Sequence, residues 1–249
     1  MLCLRDSAGA ARSRGCYGEV SAMDDKKALI VLVLEGALQS WGDHSKWDDR
    51  DSGDFPTKSG VVGLIACAMG IERGSTELAE LSDAIRMAVR ADRPGTKAVD
   101  FHTVQGNPLR TAEGKRAPSA STVVSYRWYL EDACFTVFIE ADAETRERIV
   151  SALKAPVWPP YLGRRSCVPS RPVFECVTEN YTGLADALVH YPRAERSAKD
   201  ERLRYESDVP LPGAASYTRS DAASGPDRQF EQRVVYTGAV RTEVQNVPD

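Results

Sequence analysis

Apolar positions crowd together from Ala28 to Leu34, where seven residues run without a polar interruption before Glu35 and Gly36. A β-rich run of this kind predicts a buried central strand. After Pro56, the residues Val61, Val62, Leu64, Ile65, Ala68 and Met69 recur at helical spacing and close on Gly70, with Thr57 or Ser59 placed to cap the start. Gly60 and Gly63 inside that helix lower its propensity and allow close backbone approach. The pattern then predicts a short helix over 76–83 and a half-buried strand over 85–91, where apolar and polar positions alternate. Strands follow at 99–104, 122–130 and 134–140, and an amphipathic helix over 143–153 starts behind Asp142. Beyond these lie a strand at 173–177, a helix at 182–189, a polar stretch reaching Asp227, and a last strand at 232–240.

Three segments carry no such period. Residues 39–55 mix Trp41, His44, Trp47 and Arg50 with five aspartates, and a loop so long and aromatic is expected to be functional. Residues 105–121 combine Gly, Pro, Ala and Ser with Arg110, Lys115 and Arg116, which predicts a protruding hairpin or arm, mobile until bound. Residues 157–171 are rich in Pro, Gly and Arg. The element order is close to the βαββαβ ferredoxin-like pattern, an α+β class, with an insertion in the central hairpin and the last strand displaced downstream. Such sheets are common RNA platforms, but the fold hosts many functions and does not choose among them.

The chain's 249 residues bury a core without help from a metal or disulfide. With 32 basic and 36 acidic residues the net charge is −4, so any polyanion site must be local rather than a property of the whole surface. Only eight of the basic residues are lysines; an arginine bias suits forked phosphate recognition, as it also suits arginine-rich codon usage. Six cysteines without a C-x-x-C spacing read as free thiols in a reducing compartment, the cytoplasm. No apolar run reaches bilayer length, so no membrane is implied. Residues 1–22 are small and basic, with no signal-peptide core, and read as a disordered tail or a misassigned start, with Met23 as the alternative first residue.

His44, His102 and His190 lie far apart without metal-ligand spacing, so neither a metal nor another cofactor is implied. Phe55-Pro-Thr-Lys-Ser-Gly60 has the Lys-Ser pair of a P-loop without its glycine frame. Its helix start, Lys58 and the hydroxyls of Thr57 and Ser59 predict a seat for one backbone phosphate, with a capped helix and a solvated lysine as the equal alternative. Tyr161-Leu-Gly-Arg-Arg-Ser-Cys167, bracketed by prolines and near Trp158, is suited to gripping a bent phosphodiester chain.

Five motifs together carry a resemblance: Leu38-Gln-Ser-Trp-Gly42, Phe55 to Gly63, Asp100-Phe-His-Thr103, Tyr126-Arg-Trp-Tyr-Leu-Glu-Asp-Ala133 and Tyr161 to Pro169. In matching order, from about residue 27 to 240, they resemble the CasD family of CRISPR-associated proteins of type I-E systems, in the RAMP superfamily. The resemblance implies a ferredoxin-like (RRM-like) RAMP domain over 27–155 with a β-hairpin thumb at 104–122. It implies a Gly/Arg-rich loop and small C-terminal β-containing region over 156–241, with a tail at 242–249. It further implies a non-catalytic subunit of a surveillance complex (Cascade) that caps the 5′ handle of crRNA in antiviral defence. Its partners would be the crRNA and the backbone, large and other Cascade subunits, with target DNA reached only through the complex.

The residues expected to meet RNA are Gln39, Ser40, Trp41, Arg50, Lys58, Ser59, His102, Arg110, Lys115, Arg116, Arg127, Gly163, Arg164, Arg165 and Ser166. The alternative is a metal-independent endoribonuclease, for which His44 or His102 with Tyr126 and Lys58 are the available acid–base groups. A purely structural subunit without RNA contact is the third reading.

Overall fold

Strand β1 (Leu29–Glu35) runs inside the molecule, and six of its seven side chains are buried. In the computed structural model, which describes residues 28–43, 48–106, 109–110, 114–115, 122–194, 202–224 and 229–242, it is followed by β2 (Leu38–Gln39) and β3 (Asp49–Arg50). Helices α1 (Lys58–Met69) and α2 (Thr76–Ala84) lead into β4 (Arg86–Arg93), β5 (Thr96–Gln105), β6 (Thr122–Glu131) and β7 (Cys134–Glu140). Then come α3 (Ala143–Lys154), β8 (Phe174–Thr178), α4 (Leu184–His190), β9 (Leu203–Ser207), β10 (Ala215–Ser224) and β11 (Gln229–Val240).

Seven strands form one antiparallel sheet in the order β10-β11-β9-β4-β7-β1-β8. Alternation along its central strands sends Ile30, Leu32, Leu34, Met87, Val89, Phe135, Val137 and Ile139 to a core with α1, α2 and α3. The opposite set, including Leu29, Val31, Ala88 and Phe138, packs against α4 and Leu203, Tyr205 and Leu211. Both faces are therefore covered, which is why β1 reads as an unbroken apolar run.

The same cover corrects the half-buried reading of 85–91. Met87 to Asp92 are all buried, and the polar positions of β4 are not solvated but paired. Arg90 and Asp92, both without exposed surface, share the α4 face, with Nε to Oδ1 at 2.6 Å. Arg90 also donates to the carbonyls of Leu188, Tyr191 and Pro192, while Asp92 accepts from Thr136 and the Ala194 amide. Every polar atom of the pair is occupied, and the ion pair fixes the end of α4 to the sheet.

The caps fall where the sequence places them. Thr57 accepts from the Gly60 amide and Gly70 closes α1 at φ +76°, while Asp142 accepts from the Thr145 amide to open α3. Gly60 has a packing reason for its small size, since a Cβ there would sit 2.8 Å from the Trp41 ring.

The polar stretch before Asp227 contains two strands, β9 and β10, that hydropathy does not reveal. Leu203 and Tyr205 of β9 join the apolar core, and charged pairs tie the rest: Arg219 pairs with Glu206 and Asp43, Tyr217 donates to Glu206, and Arg233 holds both Asp208 and Asp221.

A smaller sheet is built on β6. Strand β5 pairs with it in unbroken register from Thr96↔Glu131 to Gln105↔Thr122, and β2 and the parallel β3 share its other side. Most of the expected arm between β5 and β6, Arg116 included, lies outside the described residues, as do both expected terminal tails apart from Thr242.

Removing one member of a fully buried pair leaves the other uncompensated. Arg90→Ala is therefore expected to lower the unfolding free energy of the full chain by roughly 3–5 kcal/mol. Urea denaturation checks this, and a loss near zero would show that α4 is held by its apolar contacts alone.

Candidate functional site

Because β-strand side chains alternate, β6 presents two different faces. Register puts Arg127, Tyr129 and Ser125 on one face with Asp100 and His102 of β5, and Tyr126, Trp128 and Val124 on the other with Val99, Phe101 and Thr103. Arg50 lies beside Arg127 across the β3–β6 pairing and so shares the first face.

The Gly-Arg-Arg loop docks at the same place. It closes on itself through Leu162 N to Cys167 O (2.8 Å) and Cys167 N to Arg164 O (2.8 Å), and Leu162 and Cys167 are wholly buried anchors. The Ser40 amide donates to Leu162 O at 3.1 Å. Gly163 has φ +86°, and a Cβ on it would lie 1.7 Å from the Ser40 carbonyl oxygen, so no other residue fits.

Arg164 points inward. Its guanidinium lies over the Tyr129 ring at 4.8 Å, and Nη2 donates to the carbonyls of Arg50 (2.8 Å) and Asp51 (3.3 Å). Arg165 and Ser166 remain exposed at the loop's rim.

Two guanidinium nitrogens here are buried yet lack an acceptor among the described residues: Arg127 Nε and Arg164 Nη1. Asp100, opposite Arg127 in register, turns to His102 instead, with Nε2 to Oδ2 at 2.7 Å. Arg50, Arg127 and Arg164 thus concentrate positive charge on one face of the ribbon. Burial pushes Cys167 up, against the opposing effects of Ser166 and Arg164, and burial also pushes Cys67 up against Arg165, so both stay protonated at neutral pH.

Several expected contact residues are structural. Gln39, Ser40 and Trp41 are buried: Gln39 bonds Leu34 O, Ala133 O and Trp41 Nε1, and Ser40 Oγ donates to Trp128 O. They shape the loop and offer it no surface. Lys58 is also drawn in, donating from Nζ to Ile85 O at 2.9 Å and lying 3.7 Å from Asp208. The expected phosphate seat at the start of α1 is filled from within, because the Lys58 amide donates to Asp221 Oδ2 at 2.7 Å. Ser59 pairs with the Thr57 hydroxyl. An anion does occupy this positive helix end, but it is an aspartate of β10.

On the ribbon, Arg110 is exposed and donates to Gly114 O, and Lys115 is exposed. His44 lies outside the described residues. Among the described residues, the candidate acid–base groups are not brought together: His102 and Tyr126 occupy opposite faces of the ribbon, and Lys58 is buried beneath the β10–β11 hairpin. Sequence reasoning missed Tyr129, the platform for Arg164, and Asp221. The first had a signal, since it stands two residues from Arg127 in a strand and must share its face.

Residues 29–242 match the family described as CRISPR-associated protein (Cas_Cas5). The chain belongs to the Cas5 family. This Cas5 chain is 35% identical over 160 residues to the CRISPR system Cascade subunit CasD of Escherichia coli (strain K12), covering 59% of this chain and 70% of that protein. It is also similar to a solved structure described as a CRISPR RNA-guided surveillance complex, at 33% identity and TM-score 0.67, covering 87% of this chain and 90% of the other. A second solved structure, a Cas protein, matches at 34% identity and TM-score 0.66, covering 86% and 95%. The Gly-Arg-Arg loop, the β5–β6 ribbon and the buried Gln39 all fall within the Cas5 match.

The two arginines of the loop are expected to separate in a thermal melt. Arg164→Ala strips Tyr129 of its cover and two carbonyls of their donor, costing roughly 1–3 kcal/mol, whereas Arg165→Ala should fall within about 0.5 kcal/mol of wild type. Equal melting temperatures would assign Arg164 to the surface.

Proposed function

We propose that this Cas5 chain is the RNA-binding subunit of a type I-E CRISPR surveillance complex, holding the 5′ handle of crRNA against the Arg50–Arg127–Arg164 face and the exposed rim of Arg165 and Ser166. The observation that carries this is the convergence of Arg50, Arg127 and the Gly-Arg-Arg loop on one face of the ribbon, beside the exposed Arg165 and Ser166. Forked guanidinium groups gathered on one face suit a phosphodiester, which supplies several charged acceptors at once. The family membership and the similarity to a chain of an RNA-guided surveillance complex support the same reading.

The core supports a ferredoxin-like description. Strands β8-β1-β7-β4 run antiparallel in that order, α1 and α2 cross from β1 to β4, and α3 crosses from β7 towards β8. In this reading β5 and β6 carry the thumb expected at 104–122, inserted in the central hairpin, and β9 to β11 widen the sheet. The chain acts in the cytoplasm beside the other Cascade subunits, and target DNA meets it only through the assembled complex. The handle is bound and not cut: the separation of His102, Tyr126 and Lys58 supports a role without catalysis.

The test uses the full chain and a synthetic handle RNA, titrated at several salt concentrations. Replacing Arg127 and Arg165 together by alanine should weaken binding and flatten the dependence of log K on log salt by roughly 1.4, at about 0.7 for each phosphate of a single strand that is no longer neutralised. An unchanged slope would remove these arginines from the interface. In the same mixtures with chelator, precursor RNA should remain intact; cleavage abolished by His102→Ala would replace binding with the nuclease reading.

A further inference from the structure

The chain passes from the large sheet to the ribbon, and back again, at one level. The large-sheet ladder ends at Arg93↔Cys134 and the ribbon ladder begins at Thr96↔Glu131, so Pro94, Gly95, Asp132 and Ala133 lie outside both. Gly95 and Asp132 take positive φ, +73° and +53°, and among the described residues Asp132 is the one non-glycine residue to do so. Backbone pairing therefore does not run on from one sheet into the other. On the ribbon side of the break β6 is flanked by β2 and β3 as well as β5, whereas β5 is an edge strand paired with β6.

Asp54, in the segment before α1, spans this break. One carboxylate oxygen lies 2.7 Å from Lys97 Nζ of β5, in the small sheet, and the other 3.4 Å from Arg204 Nη1 of β9, in the large one. The hydrogen bond from Lys97 chiefly holds the Asp54 carboxyl below the usual range, with partial burial in opposition and Arg204 adding to it, so the group is charged at neutral pH. The residues around it are tied down. Phe55 is buried against Phe135 and lies under the Arg204 guanidinium at 5.5 Å, and Ser52 Oγ accepts from the Trp41 amide at 3.0 Å. The carbonyls of Arg50 and Asp51 accept from Arg164. Asp54 is thus a charged point on a strap, residues 49–54, that also carries Arg50.

We propose that Asp54 is a positioning residue for the arginine face: by joining Lys97 to Arg204 it sets the edge strand of the ribbon on the body, so that Arg127 stands beside Arg50 of the strap and Arg164 of the loop. The inference rests on the proposed RNA contact at that face and names a residue outside it. By charge alone an aspartate here repels a polyanion. It favours binding only through geometry, and the two effects have opposite signs.

The experiment titrates the full chain, with Asp54→Ala, Lys97→Ala and the double variant, against synthetic handle RNA at several salt concentrations. Asp54→Ala should weaken binding by roughly two- to fivefold, the scale of a half-exposed ion pair, with the salt slope unchanged because no phosphate contact is lost. Lys97→Ala should do the same, and the double variant should bind no more weakly than either, since both remove one interaction. Asp54→Glu, which keeps the carboxylate, should recover most of the loss. In the free chains, amide hydrogen exchange over residues 96–99 should quicken in both single variants while the melting temperature falls by no more than about 4 °C. Tighter binding by Asp54→Ala would overturn the proposal, because only the charge effect would remain. So would a flatter slope in Lys97→Ala, which would put Lys97 on the RNA, or a larger fall in melting temperature, which would make Asp54 a support of the whole fold. If the wild-type chain binds no handle RNA, the reading of the arginine face fails, and exchange still decides the anchoring: unchanged exchange in Asp54→Ala overturns it.

Discussion

A single buried amide determines where the two sheets meet. Gln39 Nε2 donates to Leu34 O near the end of β1 and to Ala133 O just before β7, while Oε1 accepts from Trp41 Nε1. Neighbouring strands of the large sheet, the short β2 edge of the small sheet and the ring that packs under α1 are thereby tied through one side chain with no exposed surface. In so dry a place an unmade hydrogen bond costs far more than a made one gains, so the three partners admit essentially one geometry.

What the sequence makes legible is whatever depends on local chemistry. The caps at Thr57, Gly70 and Asp142 and the burial of β1 are readable because a cap or an apolar run carries its reason within a few residues. The strands β9 and β10 are not, because their stabilising partners are charged and distant: Glu206 finds Arg219, and Asp221 finds Arg233 and the start of α1. The alternation in β4 is real but does not mean a solvated face, since Arg90 and Asp92 satisfy each other inside the protein. Of the candidate site, Arg50, Arg127 and the Gly-Arg-Arg loop do converge, whereas Gln39, Ser40, Trp41 and Lys58 turn inward. Residue type alone does not distinguish a polar group that builds a loop from one displayed by it.

The charged joint between the β10–β11 hairpin and α1 illustrates the same point energetically. Asp221 places its carboxylate on the first amide of α1 and on Arg233, which in turn holds Asp208 beside Lys58. Desolvation raises the cost of each charge and mutual pairing offsets it, so the joint's value lies in fixing one arrangement rather than in net stability. A helix end that invites an anion has been made part of the internal architecture.

The close approach of Gly163 to the Ser40 carbonyl has a consequence for the thermodynamics of whatever binds beside it. With the loop seated on β2 and Arg164 clamped across Tyr129 and the carbonyls of Arg50 and Asp51, the protein's donors are in place before a ligand arrives. Little conformational freedom is left to lose on this side of the encounter, so the ordering entropy falls on the ligand. Under the proposed reading, selection at such a seat acts on stiffness: an RNA strand already bent to the loop's contour is favoured over a flexible one of identical composition.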